Sequence, residues 1–332
     1  MVNIAINGIG RIGKLALKIL ISNNFNVKYI NELNGNPSNL LHSLEFDSIH
    51  GKWIADFKAN DNSININERA IRTTFYNNIE DMDLNDIDIV IDCTGVNNNK
   101  AALKKYFEKG IKKVIVSAPI NEENVTNIAY GINHQTYIPS KHNIITAASC
   151  TTNCIAPIIK VLHENIGIKH GSITTIHNLT NSQTLVDIPH NNLRRGRSAL
   201  NNLIPTTTGS AKAISLIYPE LKGKLNGHAV RVPLLNSSLT DCVFEMSSPT
   251  DKEQINKMLK KASENELKGI LGFETRPLVS TDYINDPRSS VIDALSTMVV
   301  NETQVKLYAW YDNEWGYANR LVDVVNMVSK SI

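Results

Sequence analysis

The sequence predicts an α/β protein, with a doubly wound parallel sheet first and an α+β domain with a mostly antiparallel sheet second. Three observations carry that expectation. A β-prone run, Val2–Asn7, enters a glycine turn, Gly8-Ile9-Gly10-Arg11-Ile12-Gly13, and leaves it as a helical run, Lys14–Ile21. Short apolar runs at Ile87–Cys93 and Lys113–Val116 flank a helical segment, Lys100–Lys109, so strand and helix alternate as they do in parallel sheets. Beyond residue 149 the alternation stops and strand-like runs follow one another.

Bulk properties bound the rest. A chain of 332 residues is long enough for two domains, each with its own core. A net charge of +2 is too near zero to point to nucleic acid. Four cysteines, at 93, 150, 154 and 242, are too few and scattered for a disulfide framework, which implies a reducing compartment. No apolar run approaches membrane-spanning length, so the expectation is a cytoplasmic protein without membrane insertion.

The first strand, turn and helix have the layout of a dinucleotide-binding fingerprint in a Rossmann-type domain. Gly8 permits the tight turn, Gly10 lets the backbone approach a pyrophosphate, and Gly13 allows close helix–strand packing. The next strand, Asn26–Asn31, ends at Glu32, 19 residues beyond Gly13. An acid there binds ribose hydroxyls and repels a 2′-phosphate, which favours NAD over NADP. Residues 34–86 read as polar and turn-rich, with short β-like pieces at Ser63–Ile66 and Ile71–Phe75. A strand at 143–147 delivers Ser149 and Cys150, giving an expected boundary: residues 1–149 bind the dinucleotide, 150–315 carry catalysis, and 316–332 form a helix returning to the first domain.

In the second domain, Ser172–His177 reads as a strand leading into a long polar stretch, 178–208, without clear periodicity. Long ordered loops of that kind are usually functional. Further strands are expected at Val230–Pro233, Ser238–Ser247, Ser289–Asp293, Thr297–Val300 and Val305–Tyr311, with a helix at Asp251–Ala262.

Cys150 stands where a strand meets an apolar run, Ile155–Leu162, that reads as a buried helix. A thiol at a helix N-terminus has its pKa lowered and backbone donors nearby for an oxyanion. His177, at a strand end, is a candidate base for that thiol. Arg194, Arg195 and Arg197 in the long stretch, the hydroxyl-rich Thr206-Thr207-Thr208-Gly209, and Arg231 isolated in an apolar strand are candidate anion ligands. A nucleophilic Cys with arginines and hydroxyls beside a dinucleotide domain suggests oxidation of a phosphorylated aldehyde. Cys154 lies one helical turn from Cys150, but no third or fourth ligand accompanies the pair, so no metal is expected.

The segments Asn7–Gly13, Ser149–Cys154, His177-x-x-Thr180, Leu193–Arg197, Pro205–Gly209, Lys222–Gly227 and Trp310–Tyr317 resemble the glyceraldehyde-3-phosphate dehydrogenase family through essentially the whole chain. That resemblance implies attack of Cys150 on the aldehyde, with His177 as base and as donor to the oxyanion. It implies a thioester that phosphate cleaves to 1,3-bisphosphoglycerate. It assigns the phosphate of glyceraldehyde 3-phosphate to Thr180 and Arg231, and the attacking anion to Ser149, Thr151, Arg195, Thr208 and Gly209. It assigns NAD to Asn7, Gly8, Gly10, Arg11, Ile12, Gly13, Glu32, Thr94, Gly95, Ser117, Asn313 and Tyr317, and it implies a homotetramer in which 178–202 reaches a neighbouring subunit.

Some wording departs from typical members. Glu32 replaces the usual Asp, and Asn178-Leu179-Thr180-Asn181-Ser182-Gln183 lacks the aromatic and the Asp usual around that threonine. These departures resemble the subgroup associated with arsenic-resistance operons, whose members are thought to use arsenate as acyl acceptor, giving 1-arseno-3-phosphoglycerate for an efflux permease. Erythrose-4-phosphate dehydrogenase is a competing reading, opposed by Thr180 and Thr206–Gly209; a non-catalytic paralogue is another, opposed by the retained Cys150, His177, Arg195 and Arg231.

Overall fold

Nine strands of the first unit make one sheet in the computed structural model, which describes all 332 residues. That unit comprises Met1–Ser149 and Tyr317–Ile332; Cys150–Gly316 form the second. The first contains β1 (Asn3–Asn7), α1 (Arg11–Ser22), β2 (Asn26–Asn31), α2 (Pro37–Glu45), β3 (Phe57–Asn60), β4 (Ser63–Ile66), β5 (Arg69–Thr74), β6 (Ile89–Asp92), α3 (Lys100–Glu108), β7 (Lys113–Val116), β8 (Val125–Asn127) and β9 (Ile144–Thr146). Its strand order is β3-β4-β5-β2-β1-β6-β7-β9-β8, parallel from β5 onward, with β3, β4 and β5 joined antiparallel.

The central strands are apolar on both faces because helices cover both. Ile4, Ala5 and Ile6 of β1 and Ile89, Val90 and Ile91 of β6 are buried throughout. The helix α1 buries Leu15, Ala16, Leu17, Ile19, Leu20 and Ile21. On one face Leu103 and Tyr106 of α3 join Ile111, Val114 and Ile144 in a continuous apolar cluster. Strand order reverses between β1 and β6, so their carboxyl ends open a crevice above the glycine turn.

The stretch 34–86 is more ordered than its polarity suggested. Asn36 caps α2 by accepting from Asn39 N–H at 2.9 Å, Pro37 takes the first helical position, and Leu40, Leu41 and Leu44 are buried. The strand β3 was also unforeseen, since its inward positions alternate with polar ones over only four residues.

The second unit contains α4 (Cys150–Asn165), β10 (Ile168–His177), β11 (Ile204–Thr207), α5 (Ser210–Ile217), β12 (Leu225–Arg231), β13 (Ser238–Met246), α6 (Lys252–Glu264), β14 (Leu271–Glu274), β15 (Ser290–Asp293), β16 (Met298–Val300) and β17 (Gln304–Tyr311); α7 (Trp315–Ser329) follows. Its sheet runs β11-β12-β10-β13-β17-β15-β14, with β16 on β17. Only the pairs β10–β12 and β14–β15 are parallel. The strand β13 alternates buried and half-buried residues along its whole length, as a strand covered on one face does. The polar stretch 178–208 ends in β11, and α5 and β14 lay outside the expected elements. No helix is long and apolar enough to cross a membrane.

Candidate active site

Two local devices place Cys150 at the first residue of α4. Ala148, with φ +54, turns the chain sharply after β9, a conformation costing a non-glycine residue roughly 1 kcal/mol. Its N–H donates to Thr146 Oγ1 at 3.0 Å, and its carbonyl accepts from the Tyr317 hydroxyl at 3.1 Å, so both backbone groups of the turn are held. The helix that follows is buried along nearly its whole first three turns. Pro157 sits inside it and removes the hydrogen bond to the Asn153 carbonyl.

His177 is the last residue of β10, and the parallel register of β10 with β12 sets it opposite Arg231. Its Nε2 lies 3.7 Å from Cys150 Sγ. On its other side Nδ1 lies 2.8 Å from the Asn178 carbonyl and 2.6 Å from Arg231 Nη1, which also donates to that carbonyl at 3.1 Å. The Tyr311 ring meets the imidazole edge-on at 6.2 Å, and its hydroxyl is 2.9 Å from Thr151 Oγ1. Asn178 is fully buried and donates to the Leu235 carbonyl at 2.7 Å, while Ser238 Oγ stands 3.1 Å from Asn178 Oδ1 and 3.4 Å from Asn313 Oδ1. Asn178, Ser238 and Tyr311 are supports that residue type alone did not single out. Asn178 had a signal in its position next to His177 and Tyr311 in lying inside the Trp310–Tyr317 block, whereas Ser238, at the start of β13, had none.

The electrostatics correct one expectation. Burial raises the Cys150 thiol pKa above its ordinary value, against the pull of Thr151 and of the Arg231 charge. A helix start does not outweigh desolvation here, so the thiol needs a base to become a nucleophile. Burial, and then the Arg231 charge, push His177 down to about 4, leaving a neutral imidazole at pH 7. Arg231 is itself lowered by burial, with Cys150 and Tyr311 opposing and Arg195 adding to the fall. Its Nε is buried with no hydrogen-bond partner, a donor lacking an acceptor.

The remaining anion-site candidates are less concentrated. Arg195 donates to Thr206 Oγ1 through Nε at 3.2 Å and Nη2 at 3.1 Å. Thr208 Oγ1 donates to Ser210 Oγ at 3.1 Å, and Gly209 precedes α5 with nothing within 4 Å of where a β-carbon would stand. Thr180 is exposed and spends its hydroxyl on Ser182 and Gln183, at 2.9 and 3.0 Å, rather than on His177.

In the first unit the glycine turn fits a dinucleotide phosphate. A β-carbon at Gly8, whose φ is +89, would lie 2.8 Å from the Cys93 carbonyl carbon, and one at Gly13 would lie 1.9 Å from the Gly8 oxygen. At Gly10 the same construction meets nothing within 4 Å, and α1 begins without a side-chain cap, leaving room and donors for an anion. The Glu32 carboxylate accepts from Leu33 N–H at 2.9 Å on one oxygen. Arg11 directs its guanidinium to Asp47 at 2.7 Å, alongside Lys14 at 2.5 Å, so its backbone is what it offers a phosphate. Asn7 donates to the Tyr106 hydroxyl at 2.6 Å, and that hydroxyl donates to Asp92 at 2.7 Å, which also accepts from Thr94 N–H at 3.0 Å. This buried chain fixes the strand ends around Thr94 and Gly95, whose φ is +74. Ser117 follows β7 and donates its N–H to the Asp92 carbonyl at 2.9 Å.

Comparison with known proteins adds to this geometry. Residues 2–100 match the family model for the NAD binding domain of glyceraldehyde 3-phosphate dehydrogenase, and residues 149–313 match its C-terminal domain. The chain is 55% identical to glyceraldehyde-3-phosphate dehydrogenase 3 of Nostoc sp., over 100% of this chain and 99% of that protein. It is 46% identical to glyceraldehyde-3-phosphate dehydrogenase 1 of Bacillus cereus, over the full length of both. It is 45% identical to glyceraldehyde-3-phosphate dehydrogenase of Geobacillus stearothermophilus, over 99% of this chain and 98% of that protein.

Proposed function

The chain belongs to the glyceraldehyde-3-phosphate dehydrogenase family, and on that premise we propose that it oxidises D-glyceraldehyde 3-phosphate with NAD through a thioester on Cys150, cleaved by phosphate or arsenate. The observation that carries this reading is the contact of Cys150 Sγ with His177 Nε2 at 3.7 Å. As Sγ bonds to the aldehyde carbon, the thiol proton passes to His177, and the carbonyl electron pair becomes an oxyanion beside the new imidazolium. His177 then returns that proton toward the oxygen, which gives a neutral thiohemiacetal. NAD, when bound, supplies the acceptor for the hydride that leaves the thiohemiacetal carbon, while the hydroxyl proton passes back to His177 Nε2 and the carbon–oxygen double bond of the thioester forms. The remaining thioester is cleaved when an oxyanion attacks its carbonyl and Cys150 departs as the leaving group.

Residue roles beyond Cys150 and His177 follow the family pattern and belong to the proposal. Arg231, with its unpartnered Nε, and Thr180 take the substrate phosphate. Ser149, Thr151, Arg195, Thr208 and Gly209 take the attacking anion. Gly8, Gly10, Arg11, Ile12 and Gly13 receive the pyrophosphate by backbone, Glu32 the ribose, Asn7, Thr94, Gly95 and Ser117 the rest of the cofactor, and Asn313 and Tyr317 its nicotinamide end. A cytoplasmic homotetramer is part of the same proposal.

Phosphate and arsenate are tetrahedral oxyanions of nearly equal size, and the donors assigned to the acceptor do not distinguish them. The test is NADH formation from glyceraldehyde 3-phosphate and NAD with each acceptor titrated separately. Comparable efficiencies support the phosphorylating reaction. A strong preference for arsenate places the protein in detoxification, and no turnover with either overturns the reading.

A further inference from the structure

Asp92, the last residue of β6, is a buried carboxylate whose partners are all neutral donors. It accepts from the Tyr106 hydroxyl at 2.7 Å, Asn97 Nδ2 at 2.8 Å, and the Thr94 N–H and hydroxyl at 3.0 and 2.6 Å. Each of these contacts brings a hydrogen to the carboxylate. Tyr106 has a single hydroxyl hydrogen and gives it to Asp92, so the phenol oxygen is left to accept, from Asn7 Nδ2 at 2.6 Å. Asn7 must then turn its oxygen the other way, where it accepts from Asn31 Nδ2 at 2.9 Å. Asn31 Oδ1 in turn accepts from the Thr74 hydroxyl at 2.9 Å, and the Tyr29 hydroxyl donates to Thr74 Oγ1. Burial, joined at Tyr106 by the Asp92 charge, raises both phenols above their ordinary pKa, so each keeps its hydrogen near neutral pH. The hydrogen bonds therefore all run one way, from Tyr29 through Thr74, Asn31, Asn7 and Tyr106 to Asp92. Register explains the alignment. Thr74, Asn31, Asn7 and Asp92 are the last residues of β5, β2, β1 and β6, and they pair side by side across the parallel sheet.

We propose that this one-way chain positions the adenosine half of the cofactor, by tying the strand end that carries Glu32 to the loop that carries Thr94 and Gly95. It rests on the reading of Glu32, Thr94 and Gly95 as cofactor ligands. At one end Asn31, the residue before Glu32, holds Tyr76 by both backbone groups, accepting from its N–H at 2.8 Å and donating to its carbonyl at 2.9 Å. At the other end Asp92 takes the Thr94 hydroxyl hydrogen, and Thr94 Oγ1 accepts from the N–H groups of Val96 and Asn97 at 3.3 and 3.4 Å. Both walls of the adenosine site thus hang on the same row of side chains. Hydrogen bonds in series polarise one another, and a charged acceptor at the end strengthens the series, so a cut at any link slackens both walls. Tyr106, Asn31 and Thr74 are positioning residues that act through Glu32 and the Thr94–Gly95 loop.

The test compares the unaltered full chain with Tyr106→Phe, Thr74→Val and the double variant. It reads the dissociation constant of ADP-ribose by calorimetry and the kinetics of NADH formation. Each single change removes one hydroxyl and should weaken ADP-ribose by about 3–10-fold, the worth of one hydrogen bond. KM for NAD should rise alike, with kcat at saturating NAD unchanged. The double variant should bind no more weakly than the worse single one, because a chain already cut loses little from a second cut. Losses that multiply would mean two independent braces, and that result overturns the chain. So does unchanged ADP-ribose affinity in Tyr106→Phe, or a fall in kcat with KM unmoved. Should Tyr106→Phe not fold, Thr74→Val carries the test by itself, since Thr74 is only half-buried, and unchanged affinity there overturns the chain. Glu32→Ala separates the chain from the reading beneath it. If Glu32→Ala weakens ADP-ribose and the hydroxyl variants do not, the chain alone falls. If none of the three weakens it, the adenosine-site assignment falls too.

Discussion

The Glu32 carboxylate accepts a hydrogen bond from the backbone N–H of Ile9, at 2.7 Å, inside the Gly8–Gly13 turn. A negative charge is thereby pinned beside the donors that a dinucleotide phosphate would use. Removing it with Glu32→Ala should raise kcat/KM for NADP relative to NAD by about tenfold or more, since a like-charge contact costs several kcal/mol and each 1.4 kcal/mol is a factor of ten. Steady-state kinetics with both cofactors checks this. If NADP use does not improve, Glu32 does not face the ribose.

Two glycines of the same turn should respond differently to a methyl group. At Gly13 the new carbon meets the Gly8 carbonyl at 1.9 Å, so Gly13→Ala should destabilise the protein by about 1–3 kcal/mol, the usual cost of overpacking. At Gly10 nothing lies within 4 Å, so Gly10→Ala should leave the melting temperature unchanged and weaken NAD binding. Thermal melts and cofactor titration separate the two effects. Equal melting losses would mean that the room at Gly10 is not there.

The thiol chemistry gives a third expectation. Cys154 and Cys242 are fully buried, and burial pushes Cys93 up to about 12. Cys150 alone has a base within reach, so an alkylating reagent should label it first, and Cys150→Ser should abolish turnover while NAD still binds. His177→Asn should slow acylation by roughly 10²–10⁴-fold. Stopped-flow NADH formation measures that step, and a loss smaller than tenfold would leave His177 a structural role only.

Asp47 links stability to pH. Burial alone would raise its pKa, but the Arg11 and Lys14 side chains and the N–H groups of His50 and Ile49 hold it well below the ordinary carboxylate range. A depressed folded pKa contributes stability that is present above the unfolded value near ~3.9 and is lost as pH falls below it. Asp47→Asn should therefore cost about 1.5–3 kcal/mol at neutral pH, as losing charge-assisted hydrogen bonds at a partly buried site does, and should flatten the acid limb below about pH 4. Melting temperature against pH for both proteins reads this out. Parallel acid limbs would assign the acid sensitivity to other carboxylates.

How much of this was legible in the chain depended on the range of the interaction. Gly8, Gly13 and Glu32 lie within the consecutive elements β1, α1 and β2, so their spacing made their proximity legible. The helix α2 had its cap, proline and leucines in view, but a polar surround masked them. Register was out of reach. Nothing in the sequence between 177 and 231 says that two strands will align so that His177 lies opposite Arg231. The thiol pKa failed for a related reason, because a helix start is local, whereas the burial that outweighs it comes from the tertiary packing around Cys150.

The first unit is split along the chain, with Met1–Ser149 made before the second unit and Tyr317–Ile332 made after it. A ribosome therefore cannot complete the first unit until the whole of the second has been made. The contiguous second unit can close on itself while the first still waits for its final segment. Premature stops that remove only α7 would release a chain whose older portion has never been complete, and that incomplete portion is where aggregation and proteolysis should begin.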